Sequence, residues 1–227
     1  STRNRTLFPY TTLFRSPDGA LNTELRFVES SVLEVKPGVK KTIIRLKDFK
    51  QPIEVDLVYT AYEKEDVIES HSEIHNRSKK EILLRSYMSN TMCFRANKYL
   101  LTKFHGGWGN EMQIERFFVP HGTISIERTS GIRTTHQTNP SFMLSLDSDA
   151  FSETSGAVVA GALKWSGNYK IEIHRDEKDR LLINSGINPY SSEWRLGKGE
   201  SFVTPDMVYT YSSCGAGQAS RNLHDWA

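Results

Sequence analysis

Residues 52–60 read Pro52-Ile-Glu-Val-Asp-Leu-Val-Tyr-Thr60. Ile53, Val55, Leu57 and Tyr59 point one way, and Glu54 and Asp56 the other. That period of two belongs to a strand with one face buried and one face wet. The same pattern repeats outward from this stretch. Upstream, Val32-Leu-Glu-Val35 is followed by Lys36-Pro-Gly38, and Lys41–Leu46 by Lys47-Asp-Phe-Lys50. Downstream, Asp66–His75 ends at Asn76-Arg-Ser-Lys-Lys80 and Glu81–Met88 leads away, a pair that reads as a hairpin. Thr123–Glu127, Ser141–Leu146, Gly156–Trp165, Tyr169–His174, Arg180–Ile183 and Ser192–Leu196 are further strand-like segments. Only Asn110–Phe117 is mildly helical. Many short strands separated by turn signals predict an all-β fold with little or no helix, a large antiparallel β-sandwich.

The bulk properties remove several function classes. The chain has 227 residues with 29 basic and 27 acidic side chains, well mixed, for a net charge of +2. Nucleic-acid binding needs clustered Lys and Arg, and the densest run, Arg77-Ser-Lys79-Lys80, falls at an expected turn. Two cysteines, Cys93 and Cys214, provide neither a disulfide framework nor zinc-ligand spacing. No stretch approaches the roughly 20 apolar residues of a membrane span.

The N-terminus needs separate treatment. Thr6–Ser16 reads TLFPYTTLFRS, and its back-translation resembles a high-throughput sequencing adapter read in frame. Residues 1–16 are therefore expected to be an adapter-derived artefact without a docked place in the fold. Residues 17–227 are expected to form one β-sandwich domain, truncated at both ends.

Four stretches carry more than strand patterning requires. They are Phe104-His-Gly-Gly-Trp-Gly-Asn-Glu-Met112; Gly131-Ile-Arg-Thr-Thr-His136 with Gln-Thr-Asn-Pro140; Leu163-Lys-Trp-Ser-Gly-Asn-Tyr169; and Gly186-Ile-Asn-Pro189, continued by Trp194–Glu200 and Phe202-Val-Thr-Pro205. In this order, from about Leu46 to the closing Ser220-Arg-Asn-Leu-His224, the chain resembles the N-terminal domain of the α-galactosidases of glycoside hydrolase family 36. The resemblance implies a supersandwich placed before a catalytic (β/α)8 barrel. It implies hydrolysis of terminal α-galactosyl residues, as in melibiose and raffinose, with retention of configuration through two aspartates on the barrel. Such a barrel needs about 250 residues, so the chain alone is expected to lack the catalytic aspartates and to be inactive. The resemblance also implies a homotetrameric, cytoplasmic parent without cofactor or metal. The sequence departs from the family before Pro17, where an Asp-Phe-Arg-like segment is expected, and at Thr134-Thr135-His136, where Ser-Ser-His is usual.

Among the marked residues, Trp108 lies between Gly107 and Gly109, where an indole can stand exposed at a loop tip. Indole faces stack on the C–H faces of sugars, and in the resembled family this tryptophan contacts substrate. Trp108 is therefore the candidate substrate-binding residue, the rival being a packed interdomain aromatic. Trp165 and Trp194, in strand-like runs, are expected to be at least partly buried. Glu111 is read as a structural or solvated carboxylate, with Arg116 as a candidate partner. His136 is read as bonding its own loop. His71 and His75, four apart on a strand, lie about 13 Å from one another and are rejected as a shared metal pair. Ser166-Gly-Asn168, Asn184-Ser-Gly186 and Gly197-Lys-Gly199 are read as turns, the first with a positive φ at its glycine. The competing function is a free-standing carbohydrate-binding or interaction module. An enzyme acting through Glu111 and Asp66 has no paired carboxylates behind it.

Overall fold

The structure, a computed structural model, describes the backbone of residues 12–15 and all of residues 23–131, 137–147 and 150–227. His136, with Thr134 and Thr135, lies outside the described residues. The strands in the first half are β1 (Thr12–Arg15), β2 (Leu25–Lys36), β3 (Val39–Asp48), β4 (Ile53–Tyr62), β5 (Val67–Asn76), β6 (Ile82–Arg95), β7 (Tyr99–Gly107) and β8 (Asn110–Phe118). The second half adds β9 (Gly122–Glu127), β10 (Thr138–Leu146), β11 (Val158–Leu163), β12 (Tyr169–Arg175), β13 (Arg180–Ile187), β14 (Trp194–Leu196), β15 (Ser201–Val203), β16 (Met207–Ser212) and one helix, α1 (Gly215–Trp226).

These strands build the all-β antiparallel sandwich that the alternation predicts. One sheet has ten strands in the order β2-β3-β4-β5-β16-β11-β10-β7-β8, with β15 also on β5; the other has six, β1-β6-β13-β12-β9, with β14 on β6. The inner faces meet in two apolar clusters. One holds Ile53, Val55, Leu57, Ile74, Leu84 and Leu196, with Tyr59 packed against it. The other centres on Tyr99, Leu101, Phe142, Leu144, Tyr169 and Ile171. The alternation in residues 52–60 is thus the register of β4: its odd-numbered residues fill the core, and Glu54 and Asp56 face outward with His75 and Glu73 opposite them.

Four expectations change, and one segment gains a helix. Asp66–His75 and Glu81–Met88 are not a hairpin, because β5 pairs with β4, β15 and β16 whereas β6 belongs to the other sheet. The turn between them is a crossover fixed by Asn76, whose Nδ2 donates to the carbonyls of Lys80, Leu196 and Gly197 at 2.8, 3.0 and 2.9 Å. Asn110–Phe117 is strand β8, not helix, because β7 offers it a complete antiparallel partner. Asn184–Gly186 is not a turn but part of β13, with the ladder shifted between Ser185 and Gly186. A Cβ at Gly186 would lie 2.9 Å from Met88 Cα, so the glycine permits close strand approach. The region read as the exit motif is a 12-residue helix, α1. Finally, residues 12–15 take a place in the six-stranded sheet, Phe14 opposite Leu84 and Thr12 opposite Tyr87. The edge of β6 on that side offers backbone groups that an added strand satisfies.

Candidate functional site

The β7–β8 hairpin puts Trp108 at its tip. Gly107 pairs with Asn110, and the turn closes through Gly109, whose φ of +73° suits a residue without a Cβ. Gly106 is needed for a different reason: a Cβ on it would lie 2.4 Å from the Asn110 carbonyl oxygen. Glu111 accepts the Gly109 N–H at 3.0 Å. Its role is structural, as expected, but its partner is the turn itself. Arg116 instead donates to Thr102 Oγ1 at 3.1 Å and lies over the Phe151 ring at 4.5 Å. The indole crowning this turn is 91% exposed. Ile114 and Phe118, an even number of residues apart, share one side of β8, and both are exposed, as is Met112 near the turn.

Two of the other three tryptophans stand less exposed than Trp108. Trp165 and Trp194, expected to be at least partly buried, are both exposed, at 39% and 50%. Trp194 packs on Phe202 with ring centroids 5.2 Å apart. Trp165 lies just after β11 rather than in a strand, and its Nε1 donates to the Asn168 carbonyl at 3.2 Å. That contact explains Gly167 without the positive φ expected of it, since a Cβ there would lie 2.7 Å from Trp165 Nε1. Asn168 Oδ1 also accepts the Gly131 N–H at 2.8 Å, tying the second marked stretch to the third.

The face of β4 and β5 away from the apolar cluster carries a group of paired charges. Arg45 grips Asp56 with both ends of its guanidinium, Nε at 2.8 Å and Nη2 at 2.7 Å. His75 joins Asp56 at 3.2 Å through Nε2 and Ser201 at 2.7 Å through Nδ1. His71 bonds Asp206 at 2.8 Å through Nδ1 and reaches Glu73 at 3.5 Å through Nε2, at the border of the group that Asp56, Glu73 and His75 form, whose ligand atoms lie within 4.8 Å of each other. Both Asp56 oxygens and both His75 nitrogens are engaged by protein partners, which makes this an ion-pair network. Burial pushes the Asp56 carboxyl up, but the Arg45 guanidinium and then His75 outweigh it and hold the group below its usual value. Asp176 is held at about 2: partial burial opposes this, and the backbone and side chain of Arg180 with the Lys178 N–H overcome it.

A depressed carboxyl stabilises the fold above its unfolded pKa of about 3.9 and loses that contribution as pH falls through the folded value. Urea midpoints are accordingly expected to hold near neutral pH and to fall below about pH 4. Asp56→Asn should flatten part of that acid slope, and an unchanged slope would remove Asp56 from the account.

With the hairpin and the two-sheet topology in place, the fold defines the class. Residues 7–197 match the glycosyl hydrolase family 36 N-terminal domain, and the chain belongs to that family. It is 29% identical to α-galactosidase Mel36A of Lactobacillus acidophilus over 94% of this chain and 31% of that protein. It is 30% identical to α-galactosidase AgaA of Geobacillus stearothermophilus over 93% of this chain and 32% of that protein. A variant of AgaA in complex with raffinose superposes with a TM-score of 0.89 at 28% identity, covering 95% of this chain and 32% of that one. The chain thus spans about a third of the length of the relatives it matches. Among the described residues, no helix is long and apolar enough to cross a membrane.

Proposed function

We propose that this chain is the non-catalytic front domain of a retaining α-galactosidase that removes terminal α-galactosyl residues from oligosaccharides such as raffinose and melibiose. The nucleophile and the acid/base are aspartates of a (β/α)8 barrel that follows it. The chain supplies part of the active-site rim and of the subunit contacts of a tetrameric, cytoplasmic enzyme. The observation that carries this reading is Trp108, held 91% exposed at the end of a glycine-built hairpin in a chain of this family. A large apolar side chain kept in water by dedicated backbone geometry calls for a partner surface, and a galactoside ring suits an indole. We also propose that residues 1–16 are adapter-derived and that the native domain occupies residues 17–227. The in-frame adapter reading supports this, while β1 and the start of the family match at residue 7 fall inside that segment.

Trp108→Ala in a chain extended to include the barrel tests the rim role. The substitution leaves the sandwich folded, since Trp108 contributes nothing to either apolar cluster. Loss of a stacked aromatic is worth about 0.5–1.5 kcal/mol, so kcat/KM on raffinose should fall several-fold to about tenfold. Unchanged kinetics would return Trp108 to the interdomain-packing rival.

A further inference from the structure

A cavity of about 870 Å³ opens where the β4–β5 turn, the middle of β6 and the end of β16 come together, and α1 borders it. Its floor is apolar: Met92, Phe94, Leu146 and Val159 belong to or pack on the second core cluster. Tyr62, Tyr209 and Tyr211 add ring faces and hydroxyls to the wall. Burial pushes the Tyr209 hydroxyl up to about 12, so it stays protonated and able to donate. Two carboxylates, Glu63 and Asp66, line the same space; Glu63 is paired with Lys40 from outside the lining, and among the described residues no Lys, Arg or His lines the cavity itself. From α1, Gln218 Nε2 donates to Asn222 Oδ1 at 2.7 Å and Asn222 Nδ2 to Thr210 Oγ1 at 2.9 Å. Each of these amides has a second N–H outside those bonds.

This chemistry selects a ligand class. The volume lies in the range of small-molecule sites, about 300–1,000 Å³. With Glu63 offset by Lys40, the lining keeps one further carboxylate, Asp66, and no cation of its own, which disfavours phosphates, nucleotides and organic acids. Aromatic and aliphatic walls accept the C–H faces of a ring. Amide N–H donors and carboxylate acceptors at the border match hydroxyl groups. We propose that this cavity is a second carbohydrate site, in which Trp108 takes no part, and that it holds a neutral oligosaccharide. The proposal is independent of the α-galactosidase reading, since it rests on the cavity's lining alone.

Cys93 and Cys214 are free thiols, both exposed and both on the cavity lining, so a seated sugar shields them. The test alkylates the 227-residue protein with a maleimide in the presence of raffinose, maltotriose or cellotriose, and reads each cysteine by mass spectrometry. At a ligand concentration four times its dissociation constant, occupancy slows modification of both thiols about fivefold. Glucose 6-phosphate, carrying the excluded charge, should protect neither, and Trp108→Ala should leave the protection intact. The proposal is overturned if none of the three trisaccharides protects, if glucose 6-phosphate protects equally, or if Trp108→Ala abolishes the effect. A chain that protects its thiols yet fails as the front domain of a galactosidase would leave the cavity standing and remove only the rim reading.

Discussion

Phe142→Ala is expected to lower folding stability by about 3–5 kcal/mol, the usual cost of deleting a fully buried aromatic ring. Phe142 is 1% exposed and sits on β10 between Lys103 of β7 and Gly161 of β11. The ring occupies the space that Gly161 leaves: a Cβ there would lie 3.0 Å from Phe142 Cζ and 2.6 Å from Met207 Cε. The complementary change, Gly161→Ala, overfills the same volume and should cost about 1–3 kcal/mol alone. Because the two sites share one space, the double variant should lose clearly less than the sum. Urea unfolding of the four proteins measures all of this. A loss under about 1 kcal/mol for Phe142→Ala, or strict additivity, would mean that the ring is not packed as described.

Gly215→Val should detach α1 from the sandwich. Cys214 provides no side-chain cap for this helix. Backbone carbonyls of the segment between β10 and β11 do the capping instead: Gly215, Ala216 and Gly217 donate to Gly156, Ser152 and Glu153 at 2.9, 2.9 and 3.0 Å. Gly215 has a φ of +84°, and a Cβ on it would lie 2.5 Å from both the Ser152 carbonyl oxygen and the Ser155 nitrogen. Neither contact is with a side chain that can swing away. A β-branched residue cannot hold that φ without strain of about 1–2 kcal/mol, and the displaced cap bonds add about 1 kcal/mol each. The expected result is a loss of roughly 4–5 kcal/mol and early hydrogen exchange through residues 215–226. Full protection of the α1 amides in the variant would contradict this.

The parts of the fold legible in the sequence were those fixed by local chemistry. Pro52–Thr60 shows its buried face because side chains alternate strictly, and the Gly-Gly-Trp-Gly stretch shows an exposed indole because glycine removes cover. What the sequence hid were choices made between segments. Asn76–Lys80 marks a turn, but whether the next strand joins the same sheet depends on Asn76 reaching the carbonyls of Leu196 and Gly197, 120 and 121 residues away. Helix α1 begins Gly-Ala-Gly with no side-chain cap, so propensity argues against it, and docking of Ala216 and Ala219 supplies the missing stability. Gly167 and Gly186 look like turn glycines because composition cannot distinguish a positive φ from a close approach. The cavity was invisible for the same reason, since its lining runs from Ala61 to Asn222 and converges only in three dimensions.

The most direct test of the account is hydrolysis of a nitrophenyl α-galactoside by the purified 227-residue chain. A front domain without the barrel aspartates gives no turnover above the buffer rate. Turnover that co-purifies with the chain, and persists when Trp108 is replaced by alanine, would place catalytic carboxylates within these 227 residues and contradict the assignment.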